Sequence, residues 1–132
     1  MNFKEKPFKT QLFFNKGEIM PYIELKTNKH LEDNIKQEIN KLLDENISIF
    51  KGKSKEWLMV NILDNLNLHF QGNDDECLII EVKIYKEVNR SSLDEFSLKI
   101  TKAISKLTSI KENRIYINYL FIDNWGYEGY NF

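Results

Sequence analysis

Ile23-Glu24-Leu25-Lys26 (IELK) returns as Ile80-Glu81-Val82-Lys83 (IEVK), an offset of 57 from position 23 to position 80, and Val60-Asn61 returns as Ile117-Asn118 at the same offset. Two echoes with one spacing suggest that the chain contains one unit twice. Around the first echo, residues 22–27 alternate apolar and polar side chains and predict a strand. Leu31, Ile35, Ile39, Leu42 and Leu43 then fall on one helix face. Beyond the polar loop around Gly52, residues 57–63 (WLMVNIL) form a continuous apolar run, short enough for a buried strand. A loop with Gly72 and Asp74-Asp75 leads into the second unit, where residues 77–85 (CLIIEVKIY) predict another strand. Ser92 and Glu95 have capping-box spacing before a helix with the apolar face Phe96, Ile100, Ala103, Ile104 and Leu107. Residues 114–122 (RIYINYLFI) predict the closing strand.

Two such strand–helix–strand units predict an α+β fold, with two βαβ repeats forming a four-stranded mixed sheet. Right-handed crossovers place both helices on one face of it. In the last strand Ile115, Ile117, Tyr119 and Phe121 line one side, while Tyr116, Leu120 and Ile122 line the other, interrupted only by Asn118. Two helices cover one face, so the other is expected to be buried by a further subunit.

The 132 residues suffice for one domain with a substantial core. Nineteen basic against 20 acidic residues leave a net charge of −1, which offers no electrostatic footprint for nucleic acid or a membrane surface. Residues 51–55 (KGKSK) read as a solvated loop, and His30 and His69 as a helix-start and a loop residue. One cysteine, Cys77, excludes an internal disulfide, a cysteine zinc cluster and Cys-x-x-Cys redox chemistry within one chain; it reads as a core residue. Residues 1–20 form an extension ahead of a domain at 21–132. Through residue 19 they lack both a regular period and the unbroken apolar stretch of a signal peptide or membrane helix, so they are expected to lie outside the fold.

The sequence MPYIELKTN from Met20, Lys53 in the loop before the second strand, the RIYINY strand and the GYEGYNF tail together resemble the macrophage migration inhibitory factor branch of the tautomerase superfamily. The resemblance runs from Met20 to Phe132 almost without gaps. It implies a homotrimer whose sheets face a central channel, and a cofactor-free keto–enol tautomerase acting on a small 2-oxo acid such as phenylpyruvate. It also implies a free N-terminal proline as general base, which is Pro21 here, and a lysine that pairs with the substrate's carboxylate or polarises its carbonyl, which is Lys53. Tyr116 and Asn118 match the residues that a neighbouring subunit contributes to the pocket. Tyr85 stands where the family has a pocket isoleucine whose backbone N–H helps to hold the carboxylate, and Trp125 replaces a wall valine. Two departures bear on substrate preference: Lys86 stands for a glycine, and Tyr127 for the usual tail tryptophan. The resemblance implies no metal, and its second implication is a catalytically silent trimer acting as a cytokine-like signalling protein through an unknown receptor. Taken singly, each of these residues has an ordinary reading as a strand opener, a solvated lysine, or a core or interface aromatic.

With residues 1–20 attached, the nitrogen of Pro21 is a tertiary amide and cannot serve as a base. Lys16-Gly17-Glu18-Ile19-Met20 can be encoded by AAA GGA GAA ATT ATG, which contains the bacterial ribosome-binding element AAGGAG just before an ATG. The expectation is therefore that Met20 initiates a bacterial protein and is then removed. A genuine extension, cleaved later or marking loss of activity, is the alternative. The expected location is the cytoplasm, with leaderless secretion as the route out.

Overall fold

The computed structural model describes residues 20–52 and 54–132, so the expected extension over 1–19 lies outside the described residues. The first unit comprises β1 (Pro21–Thr27), α1 (Asp33–Asn46) and β2 (Met59–Leu63). The second comprises β3 (Leu78–Tyr85), α2 (Arg90–Thr108) and β4 (Ile115–Ile122). The sheet order is β2-β1-β3-β4. Within each unit the strands are parallel, and the units meet along the antiparallel β1–β3 pair, with Pro21 opposite Ile84 and Leu25 opposite Ile80. The repeated IELK and IEVK motifs thus form the centre of the sheet, and the echoed Val60-Asn61 and Ile117-Asn118 lie on its two edge strands.

Strand alternation sends Ile23, Leu25, Ile80, Val82 and Ile84 to one side, where they pack fully buried against Ile39 and Leu43 of α1 and Phe96, Ile100 and Ile104 of α2. Both helices therefore share one face, as expected. Phe50 completes this layer, its ring 4.7 Å from that of Phe96. Cys77 is buried, as its place in the apolar run implied.

Three local expectations need correction. Helix α2 starts at Arg90, not after Ser92: the Asn89 side chain is the cap, accepting the N–H of Ser92 at 2.8 Å. Asparagine caps as well as serine does, and here it comes first along the chain. Strand β2 is shorter than 57–63, because Trp57 and Leu58 are held in turns by Ser54 and Lys55 carbonyls. It is also an edge strand with one neighbour, so Met59 is 67% exposed despite the apolar run. A short hairpin, β5 (Gly126–Tyr127) and β6 (Tyr130–Asn131), was not anticipated. Its turn residues Glu128 and Gly129 have φ of 54° and 83°, the left-handed pair that a two-residue hairpin turn requires.

The large apolar side chains most exposed on the sheet face away from the helices are Met59, Leu63, Tyr116 and Leu120, all on its edge strands. Its middle carries a polar network. Glu24 accepts hydrogen bonds from the Tyr22 hydroxyl at 2.7 Å and from the Asn61 amide at 3.2 Å. Lys26 bridges Glu24 at 2.9 Å and Glu81 at 3.0 Å. The Tyr22 hydroxyl first, then Lys26, hold the Glu24 carboxyl down at about 2. Its hydrogen bond to that carboxylate raises the Tyr22 phenol above its ordinary value.

Candidate active site

Pro21 is the first residue of β1 and is buried. Its ring constrains φ and its missing N–H costs the sheet one donor, both tolerable at a strand's start. Pro21 lies on a cleft of about 560 Å³ between the head of β1, the turn before β2 and the tail hairpin. Trp57 comes from that turn, Trp125 and Tyr127 from the tail, and Trp57 meets Tyr127 edge to face at 5.1 Å. Glu56 places a carboxylate on the lining, and Tyr22 joins the cleft to the polar network of the open face.

Met20 also lines this cleft and is only 3% exposed. Its carbonyl accepts the N–H of Tyr85 at 3.0 Å, extending the β1–β3 ladder by one residue beyond the Pro21–Ile84 pair. While residue 20 is present, that amide is engaged. Tyr85 itself is buried, and its ring packs against Phe132 at 6.3 Å with the Lys86 ammonium 5.3 Å above it. Phe132 is tied to Trp125 by reciprocal backbone hydrogen bonds, 2.8 Å and 3.4 Å, so the tail closes over this end of β3. Lys86 has φ of 67°, the left-handed region that suits glycine, and glycine is the residue this position resembles in the family pattern.

The residues singled out in the sequence do not all converge. Pro21, Trp125 and Tyr127 line the cleft, with the Tyr85 amide beside Met20. Lys53 lies outside the described residues, although Glu56 and Trp57, a few positions later, reach the cleft. Tyr116 and Asn118 are on the open face of the other edge strand, and Tyr116 is 59% exposed. Tyr116 pairs with Ile79 whereas Pro21 pairs with Ile84, so the two are separated by five residues along β3, roughly 16 Å, and by two strand spacings, roughly 10 Å. No tyrosine side chain spans that within one protomer. Trp57, Glu56, Tyr22 and Met20 are among the cleft residues that the sequence does not mark as site residues. Trp57 opens an apolar run whose pattern fits a buried strand equally well.

The fold is a double βαβ sheet with a proline heading its first strand at the bottom of an aromatic-walled cleft. The family model for macrophage migration inhibitory factor matches residues 20–131, and the chain belongs to that family, within the tautomerase superfamily. Similar solved structures include the Leishmania major protein MIF2, with a TM-score of 0.80 and 24% identity, covering 86% of this chain and 97% of that one. A macrophage migration inhibitory factor homologue from Prochlorococcus marinus gives a TM-score of 0.71 at 23% identity, covering 84% and 98%. A macrophage migration inhibitory factor-like protein from Entamoeba histolytica gives 0.70 at 23%, covering 86% and 99%. At these identities the likeness to the solved structures is one of fold. Comparison with curated protein sequences finds no significant match.

Proposed function

We propose that a chain whose first residue is Pro21 is a cofactor-free keto–enol tautomerase acting on a 2-oxo acid such as phenylpyruvate. The observation that carries this reading is the position of Pro21, buried at the head of β1 on a cleft walled by Trp57, Trp125 and Tyr127. With residue 20 gone, its nitrogen is a secondary amine. Apolar surroundings disfavour the charged form of an amine and bring its pKa toward neutrality, where it works as a general base. The amine takes the proton from the carbon next to the substrate's carbonyl, the electron pair moves onto the carbonyl oxygen, and the protonated amine returns its proton to that oxygen to give the enol and the free base; ketonisation runs the same steps backwards. Lys53 supplies positive charge where the enolate forms. Departure of Met20 also releases the Tyr85 N–H, a donor for the substrate's carboxylate. The aromatic walls pack the substrate's ring. Tyr116 and Asn118, too far from Pro21 in their own protomer, serve the cleft of a neighbouring copy in a homotrimer.

The test is phenylpyruvate ketonisation by chain 21–132, by its Pro21→Gly variant and by chain 1–132. Turnover by the first alone is expected. Equal rates for proline and glycine, or turnover by none, defeats the enzymatic reading. The Met20 contact favours a second reading in that event: a chain that keeps residue 20 keeps the Pro21 nitrogen as an amide and the Tyr85 N–H engaged, and acts as a binding or signalling protein.

A further inference from the structure

Arg114 is 7% exposed, and its guanidinium donates to the carbonyls of Phe70 at 2.8 Å, Asp75 at 2.7 Å and Glu76 at 3.2 Å, and to the side-chain oxygen of Gln71 at 3.3 Å. All four acceptors are neutral. The cation lies 5.1 Å from the centre of the Phe70 ring, a cation–π geometry, and so faces a π-surface as well as dipoles. Phe70 packs in turn against the Tyr116 ring, with centroids 4.5 Å apart and planes inclined by 55°. Its own backbone is pinned by reciprocal hydrogen bonds with Asn73, 2.9 Å and 3.2 Å. A buried cation, a pinned ring and an exposed phenol thus form a three-member stack, in which the only freely accessible part is the Tyr116 end.

We propose that Phe70, clamped by Arg114, is a positioning residue that holds the Tyr116 phenol in one orientation on the open sheet face, ready to meet a substrate in a neighbouring copy. The proposal rests on the reading of Tyr116 as a contributor to that copy's cleft. A tyrosine more than half exposed on an edge strand otherwise samples several χ1 wells, and a group that must be immobilised on binding costs affinity. The stack settles that orientation before the substrate arrives. Neither Phe70 nor Arg114 lines the Pro21 cleft of its own protomer, and a double-mutant cycle separates action through Tyr116 from a direct contact.

A double-mutant cycle on chain 21–132 tests this through kcat/KM for phenylpyruvate. Phe70→Leu is expected to lower it by between about two- and tenfold, the equivalent of one immobilised side chain. In a Tyr116→Phe background, which lacks the hydroxyl to be positioned, the same substitution is expected to have no further effect, and Phe70→Tyr is expected to restore most of the loss. An undiminished effect in the Tyr116→Phe background overturns the proposal, as does an unchanged rate for Phe70→Leu when Tyr116→Phe is impaired. The second measurement does not need turnover: the ring-proton NMR shifts of Tyr116 are displaced by the Phe70 ring current and move toward free-tyrosine values in Phe70→Leu. Unmoved shifts also overturn it. If chain 21–132 shows no turnover at all, the enzymatic reading fails by itself, and the ring shifts decide whether Phe70 holds Tyr116.

Discussion

Replacing Met20 by alanine in chain 1–132 separates a residue that belongs to the folded unit from one that merely precedes it. Met20 is 3% exposed, and burying a methionine side chain contributes about 1.5–3 kcal/mol over leaving it in water. Truncations of buried methionine to alanine cost roughly 2–5 kcal/mol. The site borders an open cleft that water can refill, so the lower end applies, about 2 kcal/mol. The hydrogen bond from Tyr85 uses the Met20 carbonyl and survives the substitution. With unfolding entropy of about 2.1 cal/mol/K per residue over roughly 110 folded residues, that loss lowers Tm by about 9 °C. Urea and thermal melts followed by tryptophan fluorescence, at one protomer concentration, measure it. Leu98→Ala is the control, since Leu98 is 62% exposed on α2, and is expected to change stability by less than about 0.5 kcal/mol. A Met20→Ala variant no less stable than the control would refute the view that residue 20 packs against the cleft wall as part of the fold.

Lys86→Gly is expected to raise stability by up to about 1 kcal/mol, because glycine adopts the left-handed backbone at φ 67° without the steric cost a lysine bears there; a loss of stability in urea melts counts against it. Acid stability should depend on Glu24. Its folded pKa of about 2 lies below its ordinary value of about 4.5, so its contribution is fully present above about pH 4.5 and is lost as the pH falls toward 2. Urea midpoints measured across that range should fall more steeply for the natural chain than for Glu24→Gln, and parallel curves would disprove the assignment.

The elements were legible because each is short and strongly patterned. Alternation in residues 22–27 and 77–85 and the 3.6-residue spacing in both helices are local consequences of which side chains must be buried, so they survive without knowledge of the neighbours. The boundaries at Asn89 and Met59 were not legible in the same way. Asn89 and Ser92 are both competent caps, and hydrogen bonding in the folded chain selects between them. An apolar run cannot reveal that its strand has a neighbour on one side only.

The candidate site divides along the same line. Pro21 was accessible because the stretch it opens carries the family resemblance, and Trp125 and Tyr127 because they stand at that family's pocket positions. Trp57 was not, since an aromatic residue opening an apolar run looks the same whether it lines a cleft or a core. The polar network at Glu24, Lys26 and Glu81 was only half visible: Glu24 and Lys26 share the outward face of one alternating strand, whereas cross-strand register is what brings Glu81 within 3.0 Å of Lys26.

By itself, then, the sequence determined the repeated βαβ units, the single buried cysteine and the proline that opens the first strand, because all three follow from short-range pattern and residue identity. The tertiary structure alone decided that Met20 lines the cleft while its carbonyl engages the Tyr85 amide, that the Lys86 backbone takes a φ of 67°, and that Tyr116 stands on the far edge of the sheet from Pro21. The Met20 contact and the Tyr116 placement depend on strand order and register, which join residues far apart along the chain, and no local window contains both partners.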